Sequence, residues 1–580
     1  MYSDEFDDMI KKYVQGVGDK IYKSVHKSPS IHVGTHGVTG KDLYLPIDVL
    51  ADNHTYVLGT TRVGKSKFFE RIARDIIKSG HGLILLDGKG DLYDDMVNFC
   101  ALARLEDRTI LIDPREKDFS VGINYLEPLG KTTPDVLAGL VLEGLMKFFK
   151  ENKEFKPWLE EWAPAALQPL IKNNFTLLEL FDFMSLQKPA FRETVLKDLQ
   201  DEFLKDKWNE LKLFRPIEQT NILNVVRTRA TKFKDNAVLK CMFGQQKTTI
   251  DWLKVMNEGG IVLANLGGSC ALSERTASFV GATILHQIRT VAPERGKGAR
   301  KPCFFMVDEF QKFVTSDFAT SFDQLLGFGV PFIVGHQHRS QLIEDAPEVL
   351  DSIDANCWNK FVFATSRKNA ESMALELFDF KGDKIKNEIV QTKFRPVKSY
   401  EDIVTIAETE VEGNTATDSA GSVIDQDGII TETASGATGS GSSHISSKSV
   451  QRAPITEHEE FQEVTSRTYV STEEEKEHRI SDLKIQPRRD AYWQLKPKQP
   501  IPITTSDVKP AVVLDSIKER FKKAVYARYH RPTEEVNKEI DARIRNYLED
   551  KNTTETTASM LIAEEPATFR DTKKPKPMKE

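Results

Sequence analysis

Residues 54–66 read HTYVLGTTRVGKS, and their pattern predicts a strand, a phosphate-binding loop and the start of a helix. The apolar run YVL predicts a buried strand, and SKFFERIARDII after the stretch has the spacing of a helix. Between them, GTTRVGKS fits the pattern GxxxxGK[ST] of a phosphate-binding loop. Glycines let backbone N–H groups surround phosphates, and the following helix contributes its positive N-terminus. The residues predicted to bind a nucleotide are Gly59, Thr60, Thr61, Arg62, Val63, Gly64, Lys65 and Ser66.

Two side chains of this loop have a predicted chemical role. Lys65 is expected to reach the β- and γ-phosphates, and the hydroxyl of Ser66 is expected to bind Mg²⁺. ATP and Mg²⁺ are therefore the predicted cofactors. An ordinary glycine turn is the alternative, and it is disfavoured because a strand precedes the loop and a helix follows it.

A second apolar run, CFFMVDE at residues 303–309, ends in two carboxylates. Asp308 is expected to hold the Mg²⁺ shell, and Glu309 is expected to polarise the attacking water. The alternative is the polar end of an ordinary surface strand. The phosphate-binding loop upstream favours the interpretation as a hydrolysis site.

Two more polar clusters follow predicted strands, where α/β sheets bind their ligands. In GHQHRSQL, residues 335–342, Gln337 is expected to sense the γ-phosphate or to orient water, and Arg339 is a further candidate. A loop with polar caps is the alternative. In LLDGKGDL, residues 85–92, Asp87 either orients the metal shell or caps the next helix.

The composition narrows the class of protein. The 580 residues allow two to four domains at roughly 150 residues each. A net charge of −7 disfavours a protein that coats nucleic acid over its whole surface. Five scattered cysteines without a CxxC pair indicate a reducing cytosol rather than a disulfide framework or a zinc site. No apolar run approaches the ~18 residues of a membrane span.

The order of strand-like and helix-like patterns predicts the domains. Strands that alternate with helices indicate a parallel sheet, here interrupted by a long helical region. A stretch rich in Gly, Ser and Thr near residues 408–450 has the composition of a linker. The predicted order is an amphipathic helix (1–30), a nucleotide-binding domain in two parts (31–133 and 256–405) around an all-α insert (134–255), a flexible linker (406–465), a return to the core (466–510), C-terminal helices (511–550) and a disordered tail (551–580).

Six motifs together resemble a known family. They are GTTRVGKS, LLDGKGDL, LIDPREKDFSVGINYLEPL, MNEGGIVLANLGG, CFFMVDEFQKFVTSDFATSF and GHQHRSQL, in this order. The set resembles type IV coupling proteins of the TraG/TraD type, in the HerA/FtsK group of P-loop ATPases. The resemblance implies an α/β fold with a RecA-like P-loop NTPase core, a parallel-rich sheet, an inserted all-α domain and a flexible C-terminal region. It implies that Lys65 and Ser66 form the Walker A pair, Asp308 and Glu309 the Walker B pair, and Gln337 the sensor glutamine, so that Glu309, Gln337 and Lys65 are catalytic.

The resemblance also implies a function and partners. It predicts an ATP-driven DNA translocase that delivers DNA, or a relaxase–DNA complex, to a type IV secretion channel during conjugation. The expected assembly is a homo-hexamer that contacts DNA through pore loops and meets relaxase or secretion-channel proteins. The expected location is cytoplasmic, at the inner face of the cell membrane only through partners. The alternatives are a soluble HerA-like DNA pump in DNA processing or defence, and a nucleotide-gated recruitment adaptor with little turnover, which the intact Lys65 and Glu309 disfavour.

This chain departs from the family in three ways. It shows no transmembrane helices, Arg62 stands where relatives often have glycine, and residues 325–330 lack an arginine that relatives often carry before Phe-Gly. An arginine finger would therefore come from elsewhere, and the candidates are Arg227, Arg229, Arg275, Arg339 and Arg367.

Three basic segments, residues 227–234, 295–301 and 520–531, are candidate phosphate contacts. Residues 295–301 are the candidate pore loop. For each segment, a solvated face is the alternative.

Overall fold

The computed structural model describes residues 30–563 except 150–155, 198, 268–271, 297, 299, 314–315, 381, 383–384, 412–420, 425–429 and 434–442. The helix predicted over 1–30 and the tail from 564 onward lie outside the described residues. The described residues divide into two units, one of residues 30–378 and 478–563 and one of residues 379–477.

Strands occur in both units. In chain order they are β1 Ser30–His36, β2 Asp42–Pro46, β3 Thr55–Leu58, β4 Gly82–Asp87, β5 Thr109–Ile112, β6 Phe119–Ser120, β7 Ile261–Asn265, β8 Cys303–Asp308, β9 Phe332–His336, β10 Asn359–Phe363, β11 Ile385–Val411, β12 Gly421–Ile424, β13 Ile430–Thr433, β14 Ser443–Tyr469, β15 Asp490–Leu495, β16 Ile501–Thr505 and β17 Arg531–Pro532.

The helices are numbered in the same way. They are α1 Ile47–Ala51, α2 Lys65–Lys78, α3 Asp91–Leu102, α4 Pro134–Phe149, α5 Lys156–Lys172, α6 Leu177–Phe183, α7 Pro189–Lys197, α8 Glu202–Leu211, α9 Pro216–Asp235, α10 Ala237–Phe243, α11 Trp252–Glu258, α12 Glu274–Val291, α13 Ser316–Leu325, α14 Arg339–Asp345, α15 Pro347–Asn356, α16 Arg367–Leu377, α17 Thr472–Lys484, α18 Asp515–Tyr529 and α19 Thr533–Ala563.

The first unit is built on an eleven-stranded sheet in the order β2-β1-β16-β15-β10-β3-β9-β8-β4-β7-β5. The strands from β10 to β5 run parallel, and the remaining strands pair antiparallel at one side. Strands β4 and β8 are buried at every position, because a parallel sheet covered on both faces needs continuous apolar runs. The predicted α/β class with a parallel-rich sheet is confirmed.

The register of the parallel strands brings four strand ends together. Asp87 at the end of β4 lies opposite Asp308 at the end of β8. Leu58 at the end of β3 lies opposite His336 at the end of β9. Residues that follow these strands therefore share the carboxyl edge of the sheet, where α/β proteins bind ligands.

The region between β6 and β7 is helical and contains α4 to α11. Residues 190–203 of this region are divided between α7 and α8. The side chain of Asp201 accepts the N–H of Leu204 at 3.2 Å and so begins α8. An Asp at this position satisfies a first-turn N–H and favours a new helix start over continuation.

The second unit corrects the predicted linker. Strands β11 and β14, each of 27 residues, pair antiparallel across residues that were assigned to the nucleotide-binding domain (256–405) and to the linker (406–465). Cross-strand ion pairs join the two strands, as between Arg395 and Glu459 at 2.7 Å and between Arg452 and Asp402 at 2.9 Å. The Ser and Thr content suggested a linker, but these residues also occupy strands when opposite charges and β-branched residues fix the register.

The C-terminal residues return to the first unit. Strand β15 pairs with β10, and β16 pairs with β1. Helix α18 buries Phe521, Val525 and Tyr526, and α19 extends to Ala563, past the predicted start of the tail at residue 551. Over the part of the chain that the structure describes, no helix is both long and apolar enough to cross a bilayer.

Candidate nucleotide-binding and hydrolysis site

The phosphate-binding loop connects β3 to α2 and is held by backbone hydrogen bonds. The N–H of Gly59 donates to the carbonyl of His336 at 3.1 Å, and the N–H of Thr60 donates to Ala364 at 3.0 Å. Gly64 immediately precedes α2 with a φ of 111°, a conformation that L side chains rarely adopt. Thr61 and Arg62 are exposed, so the loop opens to solvent.

The returning C-terminal segment contacts the same loop. The N–H of Arg489 donates to the carbonyl of Val63 at 2.8 Å. A Cβ placed on Gly64 would lie 3.4 Å from the Cα of Arg489. The guanidinium of Arg489 in turn donates to the carbonyl of Thr505 at 2.7 Å. Sequence reasoning missed this contact, because nothing in the pattern joins positions so far apart.

Lys65 lies between the two carboxylates of the second motif. Its ammonium is 3.5 Å from Asp308 Oδ1 and 3.5 Å from Glu309 Oε1, and its side chain is 3% exposed. Among the described residues, Lys65 Nζ has no hydrogen-bond partner. A buried cation that is held by charge alone retains all its N–H donors for another ligand.

Ser66 and Asp308 are adjacent, as expected of a magnesium site. The Ser66 hydroxyl donates to Asp308 Oδ2 at 3.3 Å, and Asp308 is buried. One hydroxyl and one carboxylate beside a phosphate cradle are the oxygen ligands that Mg²⁺ uses, with water and phosphate oxygens completing the octahedron. Within the described ranges, no cluster of three or more His, Cys, Asp or Glu side chains forms a protein-only metal site.

Glu309 accepts hydrogen bonds from several donors. Its carboxylate forms an ion pair with Lys89 and accepts from Gln337 Nε2, and Gln311 Nε2 donates to it at 2.7 Å. Burial alone would raise the pKa of Glu309, but the charge of Lys65 and the hydrogen bond from Lys89 lower it to about 2. Glu309 also has a φ of 57°, which is uncommon for a residue with a side chain.

Gln337 lies beside Glu309, but Arg339 turns away from the site. The carbonyl of Gln337 accepts from Asn369 Nδ2 at 2.8 Å, which fixes the residue after β9. Arg339 is buried and donates to Asp354 at 3.1 Å, so it does not reach outward as an arginine finger does. The pairing with Asp354 disfavours Arg339 as an arginine finger.

Asp87 caps the turn that follows β4. Its two oxygens accept the N–H groups of Lys89 and Tyr93, both at 2.8 Å. Burial raises the pKa of Asp87, and the two backbone hydrogen bonds oppose this effect. Both hydrogen bonds fit the capping role of Asp87, and its role in the metal shell stays a prediction.

His336 is a buried residue of the site that sequence reasoning did not assign. Tyr56 and His336 Nδ1 share a hydrogen bond at 3.1 Å, and His336 Nε2 has no partner among the described residues. Burial, together with the charges of Lys65 and Arg339, lowers the pKa of His336 to about 3. The imidazole is therefore neutral at physiological pH.

The basic segment at residues 295–301 does not match the predicted pore loop. Arg295 is 2% exposed and donates to the carbonyls of Phe328, Gly329 and Met256 at 2.7, 3.0 and 3.0 Å. The segment precedes β8, so it lies at the amino ends of the strands, opposite the nucleotide edge. Arg295 holds several turns of the protein together, because a guanidinium with five donors satisfies several carbonyls at once.

The other two basic segments also have partners within the chain. Arg227 lies over the ring of Phe181 at 4.1 Å, and Lys234 pairs with Asp182. In α18 the aromatic residues face inward, and Arg528 pairs with Asp107. Among the finger candidates, Arg275 is exposed in the first turn of α12.

The part of the chain that carries the phosphate-binding loop matches a known family. Residues 31–265 match the family described as the central domain of the helicase HerA. The matched part contains the loop and Asp87 and ends before Asp308. The comparison with curated proteins found no match.

Solved structures of the coupling protein TrwB and of VirB4 show distant similarity. The bacterial conjugative coupling protein TrwBΔN70, in its unbound monoclinic form, aligns with 15% identity and a TM-score of 0.48, over 86% of this chain and 94% of that chain. TrwB in complex with ADP and Mg²⁺ aligns with 15% identity and a TM-score of 0.46, over the same shares. VirB4 of Thermoanaerobacter pseudethanolicus aligns with 13% identity and a TM-score of 0.42, over 61% of this chain and 88% of that chain.

Proposed function

We propose that this protein is an ATP-driven DNA translocase that acts as a coupling protein and delivers DNA, or a relaxase–DNA complex, to a type IV secretion channel. The observation that carries the proposal is the convergence of the phosphate-binding loop with Asp308 and Glu309 at one edge of a parallel sheet. This convergence provides a phosphate cradle, a metal ligand and a water activator, which are the parts that nucleotide hydrolysis needs.

Each part has a defined task in hydrolysis. Lys65 donates to the β- and γ-phosphate oxygens, and Ser66 and Asp308 would hold Mg²⁺, which neutralises charge on those oxygens. Glu309 orients the attacking water and accepts its proton at a carboxylate oxygen. Gln337, which contacts Glu309, responds to the γ-phosphate and relates its presence to the position of the catalytic carboxylate.

The DNA-related part of the proposal is supported by the match to the central domain of the helicase HerA and by the order of the six motifs. A homo-hexamer would enclose DNA and complete each nucleotide site with an arginine from a neighbouring copy. Arg275 suits that role better than Arg339, because Arg275 is exposed and Arg339 is buried against Asp354. The protein would act in the cytoplasm and meet the membrane through its partners.

A second candidate function is a HerA-like DNA pump in DNA processing or defence. The observation that favours it is the family match itself, since the matched domain is described by the helicase HerA rather than by a conjugation protein. The two candidates share the motor and differ in the substrate that is presented to it.

ATP hydrolysis with and without DNA tests the proposal. Wild type should turn over ATP faster with DNA, and Lys65→Ala and Glu309→Gln should abolish turnover. Glu309→Gln should still bind ATP, because Lys65, Ser66 and Asp308 remain. Equal rates in all three proteins would refute the assigned roles. Stronger stimulation by relaxase-bound DNA than by bare DNA supports the coupling function, and equal stimulation supports the pump.

A further inference from the structure

Lys89, in the turn between β4 and α3, brings a second ammonium to the hydrolysis site. It forms an ion pair with Glu309, whose side chain is 2% exposed, while the side chain of Lys89 is 35% exposed. Burial favours the neutral amine, but the hydrogen bond to Glu309 and the charge of Asp308 raise the pKa of Lys89. Lys89 is thus a charged side chain that extends from solvent to a buried carboxylate.

The backbone of this turn is closely packed and delivers Lys89 to a fixed place. The carboxylate of Asp87 holds the N–H of Lys89 at 2.8 Å. A Cβ on Gly88 would lie 3.0 Å from the Cβ of Glu309, and a Cβ on Gly267 would lie 2.2 Å from the carbonyl oxygen of Lys89. Both glycines allow an approach that a larger residue would prevent.

The charges of the site explain why two lysines are present. Asp308 and Glu309 are both buried, and Lys65 is 3.5 Å from each. When Lys65 engages phosphates, it neutralises the two carboxylates less effectively. Asp308 would hold Mg²⁺ and so keep a counter-charge, but Glu309 needs a cation of its own, since an unpaired buried carboxylate is strongly unfavourable. Lys89 is placed to supply that charge.

We infer that Lys89 is a positioning residue that directs the carboxylate of Glu309 at the attacking water while Lys65 is engaged with the nucleotide. The inference rests on the proposed ATPase function. Lys89 in this role does not contact the phosphates, so it differs from a second lysine that binds phosphate directly.

Steady-state ATP hydrolysis by the full chain tests the role of Lys89. For Lys89→Met, kcat should fall about tenfold or more while KM stays within about twofold, because binding is retained and the chemical step is impaired. Lys89→Arg keeps the charge and should retain about half of the wild-type kcat or more. An unchanged kcat in Lys89→Met overturns the inference. A rise of KM in proportion to the loss of activity also overturns it, because that result marks a direct phosphate ligand.

Lys188→Met is a matched control. Lys188 pairs with Asp182 at 2.7 Å, and the side chain of Asp182 is 6% exposed. A second lysine, Lys234, also pairs with Asp182, just as Lys65 lies near Glu309 in addition to Lys89. This variant removes a lysine from a doubly paired buried carboxylate in the helical region, so kcat should equal that of wild type. A loss of kcat as large as that of Lys89→Met would show a general effect on folding and would overturn the inference.

A double-mutant cycle on thermal unfolding separates the inference from the proposed function. Lys89→Met, Glu309→Gln and the double variant are compared without nucleotide, and the ion pair predicts a clear coupling between the two substitutions. Additive effects overturn the ion pair and the inference with it. Turnover by wild type with unchanged turnover by Lys89→Met refutes the inference alone. Absence of turnover in wild type refutes the proposed function, and the coupling then reports only the ion pair.

Discussion

Replacing Lys65 with methionine should destabilise the protein even when no nucleotide is present. The substitution keeps most of the side-chain volume and removes the charge between Asp308 and Glu309. At 3.5 Å and an effective dielectric constant of 20, each of the two attractions amounts to about 5 kcal/mol before desolvation is subtracted. Removal of one partner from a buried ion pair typically costs about 3–5 kcal/mol. Lys89 still pairs with Glu309, so the lower end, about 3 kcal/mol, is expected.

Thermal unfolding without nucleotide measures this effect. For a large domain about 2 °C of Tm accompanies each kcal/mol, so Lys65→Met should unfold roughly 6 °C below wild type. Lys89 still pairs with Glu309, so the additional substitution Asp308→Asn removes the carboxylate that has lost its cation and should restore part of the stability. Two results would refute the reasoning: a Tm of Lys65→Met equal to that of wild type, or a double variant that is less stable than Lys65→Met.

Two more predictions concern stability. Arg295→Met removes the guanidinium that donates to the carbonyls of Phe328, Gly329 and Met256, and it should lower the free energy of unfolding by about 3 kcal/mol. Arg300→Met, at a less buried position, should lose less, and equal losses in thermal unfolding would contradict a special role of Arg295. Burial lowers the pKa of His286 from an unfolded value near 6.5 to about 4, so the unfolded chain binds the proton first and stability is lost as pH falls below about 6.5. This loss reaches about 2 kcal/mol at pH 5, and the drop in Tm between pH 7 and pH 5 should be smaller in His286→Gln than in wild type.

The proximity of the phosphate-binding loop to Asp308 and Glu309 was predictable because each motif is local in sequence. The loop with Lys65 and the strand that ends in Asp308 each carry their signal in a few consecutive residues, and parallel strands bring such ends together. The contact of Arg489 with the loop depends on a strand order that no short pattern contains. Lys89 belongs to the motif LLDGKGDL, but the motif does not show which group its ammonium contacts. The structure shows that the ammonium pairs with Glu309, against which Gly88 packs closely.

The predictions of a pore loop at residues 295–301 and of a linker at residues 406–465 rested on amino-acid composition. Positive charge near residue 295 suggested contact with DNA, but Arg295 is buried among carbonyls, and charge in a sequence does not reveal exposure. The Ser and Thr residues of 406–465 suggested a linker, but β11 and β14 cover both ends of this range and pair with each other across many residues of sequence. In both cases the deciding contacts are non-local.

The hydrogen bond between Arg489 and Val63 has a consequence for the synthesis of this protein. The motifs of the candidate site are all translated by residue 342, whereas residues 489–505, which contact the phosphate-binding loop and continue the sheet, are translated last among the parts of the site. A ribosome-bound chain therefore carries the whole catalytic sequence before its loop is braced. Until residues 489–505 are translated, the phosphate-binding loop lacks the hydrogen bond from Arg489 and the sheet lacks β15 and β16.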